Sequence, residues 1–476
     1  MKETVAKPEN FFRLHHPRPR FKNQIEDVLI YVASAVSRIG KLHEGEFDEQ
    51  FRLTLRTYPG NGHRTQKTIE NWRTEIDALM GFVIRSDGFA EPSQLAWDLA
   101  ESQNLVDFFK TFALRFQYPG GHMKPRAVAE AIMAGVKFHP ASYVARVLVE
   151  GRLLSGGESI GIDKAEATAL IWNDLRVTSG TRSPKEVADE LLRNRKSKVP
   201  YPADGDVVRY AGDVLDYMVL GNLLVRNPAG RYFVSPRSER EIAQLITNPE
   251  IFNGYDRLYE FRQVYAADAV AVEADWHRFV GAGLSHFSTD VDLADLLADI
   301  DEVVEDSPVF ASAILMSLRA KLKEGAQVGA KETGNVGENL ILLHESNRLT
   351  NAGAQGLAKQ IKKIPDHFGV GYDIKSFLDG SGRHKYIEVK STISHGELRN
   401  KQFTLTRNEW QAAEAQKQSY WVFRVLISAK SVRCFVLHDP VSLYKSDLIS
   451  ATPTKDAGML ISYQEESGVW EELILT

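Results

Sequence analysis

The run YIEVK at 386–390 sets two apolar residues and two opposite charges in strict alternation, inside a region of short apolar segments. Successive side chains of a strand point to opposite faces. Ile387 and Val389 must therefore share one face, and Glu388 and Lys390 the other. A chain with this run folds there as a sheet that buries its apolar side and gathers an acid and a lysine on its reverse. The surrounding text reads as α/β from about Gly334. GNVGENLILLHESNRL forms an amphipathic helix on which Glu338 and Glu345, seven apart, share a face. GVGYDIKSF is a short strand containing Asp373, and DGSGRHK is a turn into YIEVKST. FTLTRNEWQAAEAQ opens a further helix, and SYWVFRVLIS and RCFVLHDP read as two closing strands.

A hairpin-like return from Asp373 brings its carboxylate beside Glu388. Two like charges held close repel unless a cation neutralises them. An all-oxygen donor set selects a hard ion, so Mg2+ is expected, with Mn2+ able to substitute. Lys390 then sits where it can hold or polarise an attacking water and balance charge on a phosphate. An acid two residues before a lysine arises cheaply by chance, and a surface strand with a cross-face Glu–Lys pair would explain it alone. Lys375 and Lys390 are the lysines with this spacing, however, and both fall in the same α/β stretch.

At 476 residues the chain exceeds one ordinary hydrophobic core, so two to four domains are expected. TQKTIENWRTEIDALM at 65–80 places Ile69, Trp72, Ile76, Leu79 and Met80 at helical spacing. Gly81 stops that helix, and FVIRSDGFAEPS supplies two short β-prone runs around an Asp87-Gly88 turn. Helix, glycine and small hairpin is a winged-helix pattern. It recurs as DVLDYMVLG followed by NLLVRNPAGRYFVS. Between the two, the YPGG loop carries His122, Lys124 and Arg126, a phosphate-contacting surface or a plain solvated loop. Basic clusters at 13–22 (RLHHPRPRFK) and 193–198 (RNRKSK), the latter with Arg193, Arg195 and Lys196, leave the same choice open. Residues 236–327 read as helical with few turn signals, a connector or dimerising layer. The expected division is 1–100, a winged-helix-like module; 101–237, a helical segment with a second such module; 238–330, the connector; and 331–476, the α/β domain.

Composition narrows the function classes. Lys plus Arg number 58 against 63 Asp plus Glu, a formal net charge of -5, so a passive nucleic-acid coat protein is disfavoured. No apolar run reaches the ~20 residues that span a bilayer, and MKETVAKPENFF has no signal-peptide core, so a cytoplasmic protein without membrane partners is expected. One cysteine, Cys434, excludes an internal disulfide. No GxxxxGK[ST], HExxH or GxGxxG pattern occurs, so no nucleotide cofactor is expected.

Asp373, then Glu388-Val389-Lys390, with Glu338 on the preceding helix, resembles the PD-(D/E)xK nuclease superfamily. More narrowly, the stretch from Gly337-Glu338 through GYDI, YIEVKST and F-x-L-T-x-N-E-W resembles the NO VEIN-type C-terminal nuclease domain (DUF3883), over about residues 334–439. The PD dipeptide is absent, since Tyr372 precedes Asp373. The resemblance implies a restriction-endonuclease-like core with a mixed sheet in a multidomain α+β chain. It implies that Asp373 and Glu388 hold the metal, that Glu338 supports it and that Lys390 activates the nucleophile. The N-terminal half resembles the winged-helix recognition parts of Type II restriction endonucleases. The expected function is a Mg2+-dependent, sequence-specific restriction endonuclease of a defence system. Its partners would be double-stranded DNA and, because two strands need two sites, a second copy in a homodimer. A modification-dependent restriction nuclease and a winged-helix regulator with an inactive nuclease-like domain are the alternatives.

Overall fold

The computed structural model describes residues 10–14, 21, 25–58, 60–201, 206–236, 238–285, 330–364, 369–394, 401–428, 431–454 and 458–475. Most of the basic stretch 13–22 and the part of the connector from 286 to 329 lie outside them. The chain divides into two compact units. The first is Met1–Ile25, Ile39–Asp98 and Leu105–Thr289; the second is Glu26–Arg38, Leu99–Asn104 and Asp290–Thr476. Two short segments expected to belong to N-terminal modules are thus counted with the C-terminal unit.

In the first unit, Thr65 caps the helix Gln66–Thr74, which runs on as a π-helical turn, Glu75–Leu79. Ile69, Trp72, Ile76, Leu79 and Met80 are all buried, as their spacing demands. Strands β1 (Leu42–His43), β2 (Val83–Ser86) and β3 (Phe89–Pro92) form an antiparallel sheet in the order β1-β3-β2. The turn between β2 and β3 has positive φ at both Asp87 (56°) and Gly88 (78°), which a tight two-residue hairpin requires. The second helix-and-hairpin is present as the helix Asp206–Leu220 with β4 (Leu224–Arg226) and β5 (Tyr232–Val234). Helices Leu105–Arg115, Pro125–Met133, Pro140–Leu154 and Pro184–Lys196 lie between these two in sequence.

The continuous helical layer expected after 236 is corrected. Its described part breaks into Glu239–Thr247, a 3-10 turn Asp256–Glu260, and helices Ala266–Val270 and Glu273–Val280. The Asn248-Pro249 step explains the first break, because a residue before proline is pushed out of the α region; Asn248 has φ -134° and ψ 56°. This segment is also part of the unit's core. The Trp276 indole is buried and donates to Ala78 O at 3.1 Å, and the Arg115 guanidinium clasps Glu250 and the carbonyls of Ala282 and Gly283.

The second unit is built on a six-stranded sheet and a three-stranded one. The strands are β6 (Lys362–Lys363), β7 (Ile374–Phe377), β8 (His384–Ser394), β9 (Gln402–Leu405), β10 (Tyr420–Ser428), β11 (Val432–His438), β12 (Ile449–Pro453), β13 (Met459–Tyr463) and β14 (Val469–Glu471). The large sheet runs β14-β11-β10-β8-β7-β6, and the small one β12-β13-β9. β8 and β10 are parallel and the other pairs antiparallel, so the sheet is mixed and the chain is an α+β protein. One face buries Val336, Leu340 and Ile341 of the helix Ala330–Asn351 against Ile374, Ile387, Val389 and Phe423. A second apolar cluster joins Tyr420, Val422 and Phe435 to Trp410 and Ala413 of the helix Arg407–Gln416 and to Phe403 and Ile461 of the small sheet. Among the described residues no helix is long and apolar enough to cross a membrane.

Candidate active site

The alternation in β8 positions the first two site residues. Ile387 and Val389 are buried against the long helix, which turns Glu388 and Lys390 to the opposite face. Asp373 immediately precedes β7, and the pairing of Ile374 with Ile387 sets it across from Glu388. Its N–H donates to Ile387 O at 2.9 Å, and the Val389 N–H donates to its Oδ2 at 2.7 Å. The Lys390 ammonium lies 2.8 Å from Glu388 Oε1 and 2.7 Å from Glu409 Oε2. The structure thus brings Asp373, Glu388 and Lys390 together as the sequence predicts.

Glu409 is a member of this cluster to which the sequence reading gave no role. It stands at the third position of the helix Arg407–Gln416 and closes a capping box with Thr406. The T-x-x-E spacing is visible in FTLTRNEW, but it reads as a helix start and hides the carboxylate's second partner. Glu338 lies on the long helix and pairs with Lys363 at 2.9 Å. Glu345, expected on the same face, has a different job. It is fully buried and accepts from Lys385 (2.8 Å), Arg348 (2.7 Å) and Ser376 (2.6 Å).

The electrostatics separate these acids. Burial, then the neighbouring Glu338, pushes the Asp373 carboxyl up to about 7. Burial raises Glu388 well above the ordinary carboxylate range, with Asp373 and Glu409 adding to it and Lys390 opposing. Burial also acts to raise Glu409, but the Lys390 ammonium and the Thr406 N–H more than offset it, and its pKa is lowered. Lys390 is held above its usual value: burial opposes the charge, and Glu388 and Glu409 outweigh it. Tyr420, buried beside the acids and donating to Gly371 O at 2.8 Å, is raised by burial and by their charge.

Asp373 and Glu388 therefore present oxygen-only donors whose mutual repulsion a hard cation would relieve. Among the described residues no three His, Cys, Asp or Glu side chains are gathered into a ligand cage. Two carboxylates with water completing the shell is a normal arrangement for magnesium, which dehydrates reluctantly. The residues present fit that ion.

The basic residues of the first unit divide. Lys124 and Arg126 are exposed at the start of the helix Pro125–Met133, and Arg126 pairs with Glu130. His122, grouped with them in the sequence, is instead buried among the rings of Phe116, Tyr118 and Trp276. Arg193, Arg195 and Lys196 form the last turn of the helix Pro184–Lys196, where cations favour the helix dipole. Arg193 and Lys196 are exposed, whereas Arg195 turns inward onto Glu166 and Gly161 O.

Residues 337–437 match the family described as Protein NO VEIN, C-terminal. No curated protein matches the chain. A solved structure described as "Crystal structure of pyrene- and phenanthrene-modified DNA in complex with the BpuJ1 endonuclease binding domain" is similar with a TM-score of 0.51 and 24% identity. That likeness covers 58% of this chain and 99% of the other, and at this identity it shows a shared fold. Residues 6–277, more than half of the 476, match a further family, and the chain belongs to it: Restriction endonuclease BpuJI - N terminal.

Proposed function

We propose that the chain is a Mg2+-dependent DNA endonuclease of the restriction type, in which the first unit binds double-stranded DNA and the second cuts it. The observation that carries this reading is the convergence of Asp373, Glu388 and Lys390 on one face of a mixed sheet, with Glu409 steadying the lysine. The family of the first unit and a similar structure solved with DNA support a DNA substrate. The second unit is read as a PD-(D/E)xK core, and the helix-and-hairpin elements of the first as winged-helix modules.

Asp373 and Glu388 would hold magnesium, or manganese in its place, and Glu338 would support the site from the long helix. Once bound, the ion supplies Lewis-acid neutralisation of the phosphate and its leaving oxygen. Glu388 and Asp373 fix the position of positive charge at the sheet face. With Glu388 engaged in holding the ion, Lys390 would keep Glu409 as its anionic partner and face the nucleophilic water. In that place Lys390 orients the water and offsets the negative charge that builds on the phosphate. The products would be a 5′-phosphate and a 3′-hydroxyl. Cutting both strands calls for two copies of the site, so the active form is a homodimer on DNA. Lys124, Arg126, Arg193 and Lys196 are candidate phosphate contacts.

The test is cleavage of plasmids of differing methylation in Mg2+, Mn2+, Ca2+ and EDTA, by wild type and by Asp373→Ala and Glu388→Ala. Wild type should cut in Mg2+ and Mn2+ only, and both variants should bind DNA without cutting. Cleavage in EDTA, or by Glu388→Ala at the wild-type rate, would sink the metal mechanism. Cutting confined to methylated plasmid would replace sequence-specific restriction with the modification-dependent kind.

A further inference from the structure

The face of β8 that carries Glu388 and Lys390 continues to Thr392, and Lys390 and Thr392 meet groups that the nuclease reading does not use. Arg424 of β10 stands beside Lys390 in the parallel register and is fully buried. Its Nη1 donates to Lys390 O at 3.1 Å, and its Nη2 donates to Gln103 Oε1. The same Oε1 accepts from Thr392 Oγ1 at 3.0 Å, while Gln103 Nε2 donates to Gln402 O at 2.9 Å. Gln402 in turn donates to Ser462 Oγ at 2.8 Å, as Arg38 does at 3.2 Å. Gln103 thus ties β8, β9 and β10 together with one amide, although it precedes them by nearly three hundred residues.

Two features make this more than ordinary packing. The bonds of Arg424 run to neutral acceptors, Lys390 O, Gln103 Oε1 and the Tyr463 hydroxyl, so among the described residues this buried cation has no anion paired with it. Such a charge is expensive to keep, and an apolar residue would fill the space at lower cost. Gln103 ends the helix Gln94–Ser102 with a φ of 50°, a left-handed conformation that a glutamine adopts only where its surroundings over-determine it. Its side-chain bonds to three strands supply that determination.

We propose that Gln103 and Arg424 are positioning residues of the cutting site, which fix the backbone of β8 at Lys390 and so the placement of its ammonium. The inference rests on the nuclease reading for its catalytic consequence, but its structural core does not. A segment far upstream completes the site, and the residues from Ala330 onward do not make a full site by themselves.

The test uses the full-length chain with Gln103→Leu, which keeps bulk and removes both polar functions, and Gln103→Glu, which keeps the acceptor for Arg424 and Thr392. Amide hydrogen exchange over 388–392, plasmid cleavage with kcat and KM separated, and gel shifts are compared. In Gln103→Leu, exchange over this stretch should quicken and kcat should fall by about 10–100-fold, the usual scale for a residue supporting a reactive group. KM and DNA affinity should not move, and Gln103→Glu should recover most of both losses. If the leucine variant does not fold, Thr392→Val removes only the hydroxyl donor and carries the same comparison. Unchanged exchange at β8, or a glutamate variant as impaired as the leucine one, overturns the inference. A wild type that cuts in neither Mg2+ nor Mn2+ sinks the nuclease reading instead, and the exchange comparison still decides whether Gln103 seats the strand.

Discussion

Glu409 meets Lys390 through Oε2, at 2.7 Å from the ammonium, and the same oxygen accepts the Thr406 N–H at 2.9 Å. One carboxylate therefore starts a helix and aims a lysine. The arrangement links a local rule of helix capping to the geometry of a site built from β8, because the helix Arg407–Gln416 is the crossover between the parallel strands β8 and β10. Lys390 has two anionic partners and can give up one to a cation without losing its orientation.

Replacing Glu409 by glutamine separates these two roles. Glutamine is tolerated at the third helical position and can still reach back to the Thr406 N–H, so the cap survives. The charge that holds the ammonium does not. Cleavage by Glu409→Gln should fall about 10–100-fold, while gel-shift affinity for DNA stays at the wild-type level. Wild-type kcat in this variant would remove Glu409 from the site.

The raised Asp373 carboxyl gives the metal-free protein a pH dependence of definite sign. Its folded pKa is about 7 against the ordinary aspartate value of 3.8, so the folded state binds the proton more tightly. Its contribution to stability is fully present below about 4 and is lost as pH rises through about 7. Asp373→Asn cannot ionise and should lose this dependence, melting higher than wild type at pH 8 in EDTA. Thermal melts of both proteins from pH 5 to 8 test this; equal slopes would show that the site does not strain the ionised carboxylate.

Glu345 should behave in the opposite way. Burial alone would raise its carboxyl, but Lys385 and Arg348 hold it down to about 2, against the ordinary glutamate value of 4.5. Its stabilising contribution is present above about 4.5 and is lost as pH falls toward 2. Glu345→Gln strands buried Lys385 without its anion, and breaking a buried pair in this way costs about 3–5 kcal/mol. Denaturant unfolding at neutral pH should show a loss of that order. An unchanged midpoint would mean that Lys385 finds another partner.

What was legible in the sequence follows from the range of each signal. The two-residue period of β8, the 3.6-residue period at Ile69 and Trp72, and the Asp87-Gly88 turn are local, and each appears where expected. Asp373, Glu388 and Lys390 were found because one hairpin brings them together within eighteen residues. Glu409 and Gln103 were not, since their roles depend on which strands lie side by side, and no spacing encodes that. His122 and Arg195 misled for the complementary reason: a histidine or arginine in a basic stretch carries no mark of whether it faces water or turns onto rings and Glu166. The helical reading beyond 236 weighed apolar spacing above the Asn248-Pro249 step.

The sharpest remaining test contrasts two lysines that share an acid at the same spacing. Lys390 lies between Glu388 and Glu409, whereas Lys375 sits on β7 opposite Tyr386, two residues past Asp373. If the ammonium of Lys390 orients the water and offsets phosphate charge, its compact shape matters as well as its sign. Arginine keeps the charge, but its planar fork is larger and cannot occupy the same point between two carboxylates. Lys390→Arg and Lys390→Ala should both lose about two to three orders of magnitude in cleavage rate, roughly 2.7–4 kcal/mol of barrier, the scale of one electrostatic contact at a reacting centre. Ca2+ affinity by calorimetry should tighten in Lys390→Ala, because the cation no longer competes with the ammonium for Glu388. Lys375→Ala should retain most activity. An essential Lys375 beside a dispensable Lys390 would move the catalytic strand from β8 to β7. Slow cleavage by Lys390→Ala without any gain in Ca2+ affinity would instead show that the ammonium and the cation occupy separate places.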